Sequence, residues 1–281
     1  MKLGIYDRTD FDGKACGALL REMGCQTLPY NYGDKLPLLS GLTGYQELWI
    51  CDTCLPDDMM LDLAAIYGSR FHWVDHHKCA FLKLGEQIRK LRGIVHYSPD
   101  DAACYGLAEI EGMLLTGHTN LEWLSDYDTW KLGSGNYVLG HQTQANRMWG
   151  CLTAEQLVHS DSFLGWLRAP VDSDFVAKGR NLVNYNLQQY RALIAAYGYA
   201  VNFQNLDALA INTPLVDSYM FESVRDNYEI CIAYYWNAER DSWKYSIRSN
   251  NIGVDCGFIA DNYGGGGHKG AAGFSTKKLI L

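Results

Sequence analysis

Along the first half of the chain, apolar and polar positions fall into short blocks that read alternately as strands and helices. Leu3 to Tyr6 is a compact apolar run, and the pattern predicts a helix over Lys14 to Met23. Leu48 to Cys51 is the next strand, and Pro56 opens a helix to about Tyr67, since proline suits a first helical turn. Phe71 to Val74 and Ile94 to Tyr97 continue the strands, with helices expected near Phe81 to Leu91 and Asp101 to Leu115. This βαβα order predicts an α/β fold whose mostly parallel sheet carries helices on both faces.

Beyond Leu121 the periodicity changes. The stretch to about Tyr199 is mainly helical, with one long helix from Asp174 to Tyr197. After Val201 strands return at Ala208 to Ile211, Tyr228 to Trp236 and Trp243 to Arg248, before a helix over Val254 to Asn262. The expected division is a catalytic domain over 1–150, a helical linker over 151–200 and a smaller α/β domain over 201–281. No internal repeat is present, and only Gly264 to Gly267 is of low complexity.

Composition narrows the partners. A net charge of −8 without any basic run argues against coating long DNA or RNA, where phosphate contacts supply most of the affinity. A polyanionic substrate is therefore expected to be small, held by a local cationic patch or by metal ions. The nine cysteines are scattered; Cys51 and Cys54 form a lone CxxC around Asp52, read as two reduced, half-buried thiols beside a strand end. The N-terminus lacks an apolar leader core and no run reaches membrane-spanning length, so a cytoplasmic, membrane-free protein is expected.

Ligands of open α/β sheets collect beyond the carboxyl ends of the strands, where three acidic clusters fall. Asp7-Arg8-Thr9-Asp10-Phe11-Asp12-Gly13 follows the first strand, with Asp10 and Asp12 alternating across an expected extended loop. Asp52 follows the second clear strand, and Asp75-His76-His77 the third. Singly, each has a plain reading: turn chemistry for Asp12-Gly13, a helix cap for Asp52, surface residues for the histidines. Together they share one sheet edge. Several carboxylates with one or two imidazoles suit Mn²⁺ or Mg²⁺ better than zinc.

These residues resemble the first three motifs of the DHH phosphoesterase family: Asp10-x-Asp12-Gly13, Asp52 and Asp75-His76-His77. Leu124-Ser125-Asp126-Tyr127-Asp128-Thr129-Trp130 resembles the fourth, with Asp126 the preferred ligand and Asp128 close behind. Tyr245 to Ser249 and Gly264 to Phe274 are similar to the type 1 DHH-associated domain, and the likeness spans nearly the whole chain. It implies two Mn²⁺ ions, with Mg²⁺ as substitute, held by Asp10, Asp12, Asp52, Asp75, His76 and Asp126. Asp75 and His77 would be the catalytic pair, His77 orienting the substrate phosphate. Arg248, Ser249, Gly265, Gly266, Gly267 and His268 would bind substrate, the glycines offering backbone N–H groups to an anion. One departure stands out: Tyr6 occupies the place where many members carry a histidine ligand, which leaves one metal site weakened, completed by an extra water, or served by Asp7 instead.

The implied activity is hydrolysis of phosphodiester bonds in dinucleotides or short oligonucleotides, measured by a cleft between the domains. Two alternatives stay open: a 3′,5′-bisphosphonucleotide phosphatase, and a nucleotide-binding protein weakened in turnover. A homodimer is compatible with the sequence.

Overall fold

The computed structural model describes residues 1–113, 119–129, 149–150, 152–216, 219–249, 251 and 253–281. They divide into two compact units, Met1–Val183 and Asn184–Leu281, the division falling inside a long helix.

The first unit is built on five strands: β1 (Lys2–Asp7), β2 (Cys25–Tyr30), β3 (Glu47–Cys51), β4 (Phe71–Asp75) and β5 (Ile94–Tyr97). All pair in parallel, in the order β2-β1-β3-β4-β5. Between them run α1 (Phe11–Glu22), α2 (Leu39–Leu42), α3 (Asp57–Tyr67) and α4 (Lys78–Lys90), and α5 (Ala103–Ile110) follows β5. Among the described residues, α6 (Asn120–Asp128), α7 (Ala154–Val158), α8 (Asp161–Arg168) and α9 (Ser173–Tyr197) follow.

Strand alternation sends Leu3, Ile5, Leu48, Ile50, Phe71 and Trp73 into one core with α3 and α4. Tyr6, Trp49, Cys51 and Val74 face the other way, into a core with α1, α5, α6, α7 and α8. Helices therefore cover both faces, as the βαβα pattern predicts. Cys51 and Cys54 belong to these opposite cores, and both are buried more fully than a half-exposed strand end implies.

Local chemistry explains where elements start and stop. Asp10 caps α1, its Oδ1 accepting from Gly13 N at 3.0 Å, so the helix begins at Phe11, three residues ahead of the sequence expectation. Asp12 thus sits in the first helical turn, not on an extended loop. Gly13 is obligatory there, because a Cβ would lie 2.1 Å from Asp7 O. The helix expected to reach Leu115 ends at Ile110, since Gly112 adopts a φ of +65° just past it; Leu114 and Leu115 lie outside the described residues.

The second unit holds a mixed sheet in the order β10-β11-β9-β8-β7-β6. Its strands are β6 (Tyr199–Phe203), β7 (Leu206–Asn212), β8 (Ile230–Asn237), β9 (Ser242–Arg248), β10 (Gly266–His268) and β11 (Ala271–Thr276). Only β7 and β8 pair in parallel. The helix α10 (Cys256–Asp261) packs Cys256, Ile259 and Ala260 into the core with Tyr245, Ile247 and Phe274. Among the described residues no helix is long and apolar enough to cross a membrane.

Candidate functional site

In the first sheet, strand order reverses between β1 and β3; Asp10 and the first turn of α1 with Asp12 follow β1, and Asp52 follows β3. Such a switch point opens a crevice at the carboxyl ends of the strands. Asp75, the last residue of β4, and His76 extend the same edge.

Asp12 is held by the start of α5: its Oδ1 accepts from Cys104 N at 2.7 Å and its Oδ2 from Ala103 N at 2.9 Å. A helix N-terminus favours a carboxylate at that point. Burial and Asp128 nevertheless push the Asp12 carboxyl up, against the pull of His76 and Cys104. Asp52 takes a left-handed φ of +55°, uncommon for a residue with a side chain, and is 2% exposed. Among the described residues neither of its carboxylate oxygens finds a hydrogen-bond partner. Burial, then Asp12, Asp10, Asp128 and Asp75, raise its carboxyl well above the usual range.

His76 sits at the centre. Its Nε2 stands 3.0 Å from Asp128 Oδ2, 3.4 Å from Asp52 Oδ1 and 3.7 Å from Asp12 Oδ2. Burial opposes the imidazolium, but Asp128, Asp12 and Asp75 overcome it and push the ring up to about 10. In the metal-free protein the ring thus favours positive charge among carboxylates that otherwise repel one another.

Asp75 plays a different part. Its Oδ1 accepts from His76 N at 2.7 Å, His77 N at 3.0 Å and His77 Nδ1 at 2.8 Å, while Trp73 Nε1 donates to Oδ2 at 3.2 Å. Although burial works against ionisation, His77 and His76 hold its carboxyl below the usual value. Asp75 therefore orients His77. Asp10 is exposed as a whole residue, yet burial of its carboxyl, then Asp128, Asp7 and Asp12, push it up to about 7.

The sequence expectation preferred Asp126 in the fourth motif; the structure brings Asp128 to His76. Positions two apart on α6 differ by about 200° around the axis, so the two aspartates address different surroundings. Trp130 of that motif lies outside the described residues. Tyr6 is fully buried in the core beside Gly17 and Val158, and takes no place in the carboxylate cluster. Asp7 is buried at the strand end, its Oδ1 accepting from Thr9 N and Thr9 Oγ1.

Among the described residues of the first unit, two sets of side chains meet the geometry of a cation site: Asp12, His76 and Asp128, and Asp52, Asp75, His76 and His77, with donor atoms in each set within 4.8 Å of one another. The Asp52 oxygens, without a hydrogen-bond partner among the described residues, and the excess of buried carboxylate fit a hard divalent cation, which takes oxygen ligands and offsets their repulsion.

In the second unit, Arg248 pairs across the sheet with Ala271, and Ser249 N donates to Gly270 O at 3.0 Å. The structure thus gathers Arg248, Ser249 and the Gly266–His268 strand at one sheet end. Arg248 Nη1 donates to Ser246 Oγ at 2.9 Å and Ile247 O at 3.0 Å, and Ser249 Oγ donates to Glu229 O at 2.6 Å. The glycines do more than form a loop. Gly267 has a φ of +143°, and a Cβ there would meet Ala271 O at 2.6 Å, so the hairpin depends on close backbone approach.

No family model matches the sequence, and no curated protein matches it. Solved structures do. The chain is similar to a pGpG-specific phosphodiesterase, PggH, from Vibrio cholerae, with a TM-score of 0.53 and 14% identity over 98% of this chain and 92% of that one. That likeness establishes a shared fold. An exopolyphosphatase-related protein from Bacteroides fragilis gives 0.47 and 11% identity over 99% of this chain and 87% of that one, too loose to add weight.

Proposed function

We propose that the chain is a divalent-metal-dependent phosphoesterase hydrolysing phosphodiester bonds of dinucleotides or short oligonucleotides. The observation that carries this reading is the convergence of Asp12, Asp52, His76 and Asp128 at the switch point, with neither Asp52 oxygen hydrogen-bonded among the described residues. The shared fold with a pGpG-specific phosphodiesterase supports it.

In this reading Asp12, Asp52, His76 and Asp128 hold the cations, Mn²⁺ by preference or Mg²⁺, and Asp10 completes the mouth. Such ions, when bound, would supply an activated water and charge stabilisation for a phosphoryl group. Asp75 fixes the His77 ring through Nδ1, and His77 orients the substrate phosphate. Arg248, His268, Ser249 and the Gly265–Gly267 backbone form a phosphate-capturing element in the second unit.

The test is a substrate panel of a dinucleotide, RNAs of increasing length and adenosine 3′,5′-bisphosphate, each with Mn²⁺ and after chelation. Mn²⁺-dependent cleavage strongest on the shortest diesters is expected. Release of phosphate from the bisphosphate alone would reassign the protein to a monophosphatase. Tight Mn²⁺ binding without any turnover would make it a nucleotide-binding protein.

A further inference from the structure

The proposed centre is built from carboxylates and imidazoles, yet the loop entering it also holds an ammonium without a task in that chemistry. Lys14 lies on α1 two residues past Asp12, and its side chain folds back toward the start of the helix. There Nζ donates to Thr9 O at 3.1 Å and stands over the Phe11 ring, 5.0 Å from its centroid. Thr9 falls between Asp7 and Asp10, so the ammonium is fixed on the loop that carries both. Burial lowers its pKa, while the carboxyls of Asp10 and then Asp7 pull the other way. Both aspartates face the cluster. After burial, Asp128 is the largest influence on Asp10. Burial raises the Asp7 carboxyl, and Thr9, then the charges of His77 and Lys14, draw it down.

A lysine placed only to neutralise the loop would close on one of these carboxylates. Lys14 does not: among the described residues it joins no ion pair and makes a single hydrogen bond, to a backbone carbonyl. The two carboxylates have partners of their own, since Asp7 Oδ1 accepts from Thr9 N and Asp10 Oδ1 from Gly13 N. An ammonium has three donors, which leaves two for a ligand. The residue is half-buried with an apolar ring beneath its charge, so it meets a ligand less hydrated than a fully exposed lysine would.

We infer that Lys14 is a substrate contact, donating to a non-bridging oxygen of the phosphate held at the carboxylate cluster. The inference rests on the phosphoesterase reading. Lysine meets phosphate as a point charge, so this contact selects for an anionic phosphate without reading base or sugar. It gives the first unit a protein cation of its own for phosphate, in addition to the metal ions.

Two calorimetric titrations of the full chain test it: Mn²⁺ into the metal-free protein, and AMP into the Mn²⁺-loaded protein. Lys14→Gln keeps a donor for Thr9 O but removes the charge. It should weaken AMP binding about tenfold or more, the scale of one charge-assisted hydrogen bond. Lys14→Arg keeps the charge and should recover most of that loss. Mn²⁺ affinity should stay level or rise in Lys14→Gln, because a like charge has left the neighbourhood of the site. If Lys14 merely secures the Thr9 carbonyl, Lys14→Gln will bind AMP as its parent does, and that overturns the inference. A loss of AMP binding matched by an equal loss of Mn²⁺ affinity overturns it too, since the phosphate is then lost through the metal. In either case a phosphate site remains and the phosphoesterase reading stands; failure of the unmodified protein to bind AMP at all removes both.

Discussion

At the scale of single residues, His76 and Asp52 define the electrostatic problem of the site. Three carboxylates face one buried imidazole, whose pKa they raise in the metal-free protein. Removing one partner of a buried charge cluster typically costs about 3–5 kcal/mol, because the rest stay buried and unpaired. His76→Ala should therefore destabilise the chelated protein by about 3 kcal/mol at pH 8, read by urea unfolding. Asp52→Asn should do the reverse, raising metal-free stability while abolishing the gain on adding Mn²⁺. A chelated His76→Ala protein as stable as its parent would deny the imidazole this role. The same titrations separate the two aspartates of α6: Asp128→Asn should weaken Mn²⁺ binding at least about tenfold, and Asp126→Asn should leave it near normal.

Among the elements, β3, β4 and β5 carry a ring ladder of their own. Trp49 stacks on His72 at 3.9 Å and 6°, and His72 faces His96 in parallel at 6.3 Å. Burial, then His96, lower the His72 ring to about 4 from its ordinary 6.5. The fold thus favours neutral His72, while the unfolded chain takes up the proton more readily. The stability it contributes is intact above pH 6.5 and is lost as pH falls toward about 4. Replacing the ring by His72→Gln should flatten the fall in Tm across that window; an unchanged slope would show that other groups set it. Element boundaries also reveal what local pattern misses. β2 escapes notice in the sequence because Cys25 to Tyr30 is neither alternating nor strongly apolar and contains Pro29, which an edge strand accommodates. The glycine run likewise reads as loop, although Gly266–His268 is a strand whose pairing with β11 depends on absent side chains.

For the molecule as a whole, each unit encloses its own hydrophobic cores, so calorimetry should resolve two transitions. Mn²⁺ should raise only the one that belongs to Met1–Val183, where the carboxylate cluster lies. A shift in both, or in neither, would contradict that assignment.

The sequence by itself determined the alternation of strands and helices and the placing of acidic residues at strand ends, because both follow from neighbours a few positions apart. Asp52 and Asp75-His76-His77 were legible for that reason. Only the tertiary structure decided which carboxylates meet. Asp12 is fixed by Cys104 N, 92 positions away, and His76 meets Asp128, a residue 52 positions further along the chain. Tyr6 became a core residue for the same kind of reason: at the end of β1 its side chain falls on the face covered by α1 and α7, while the backbone turns the following aspartates toward the cluster. Periodicity sets what an element is, and packing between distant elements sets which side chains share a site.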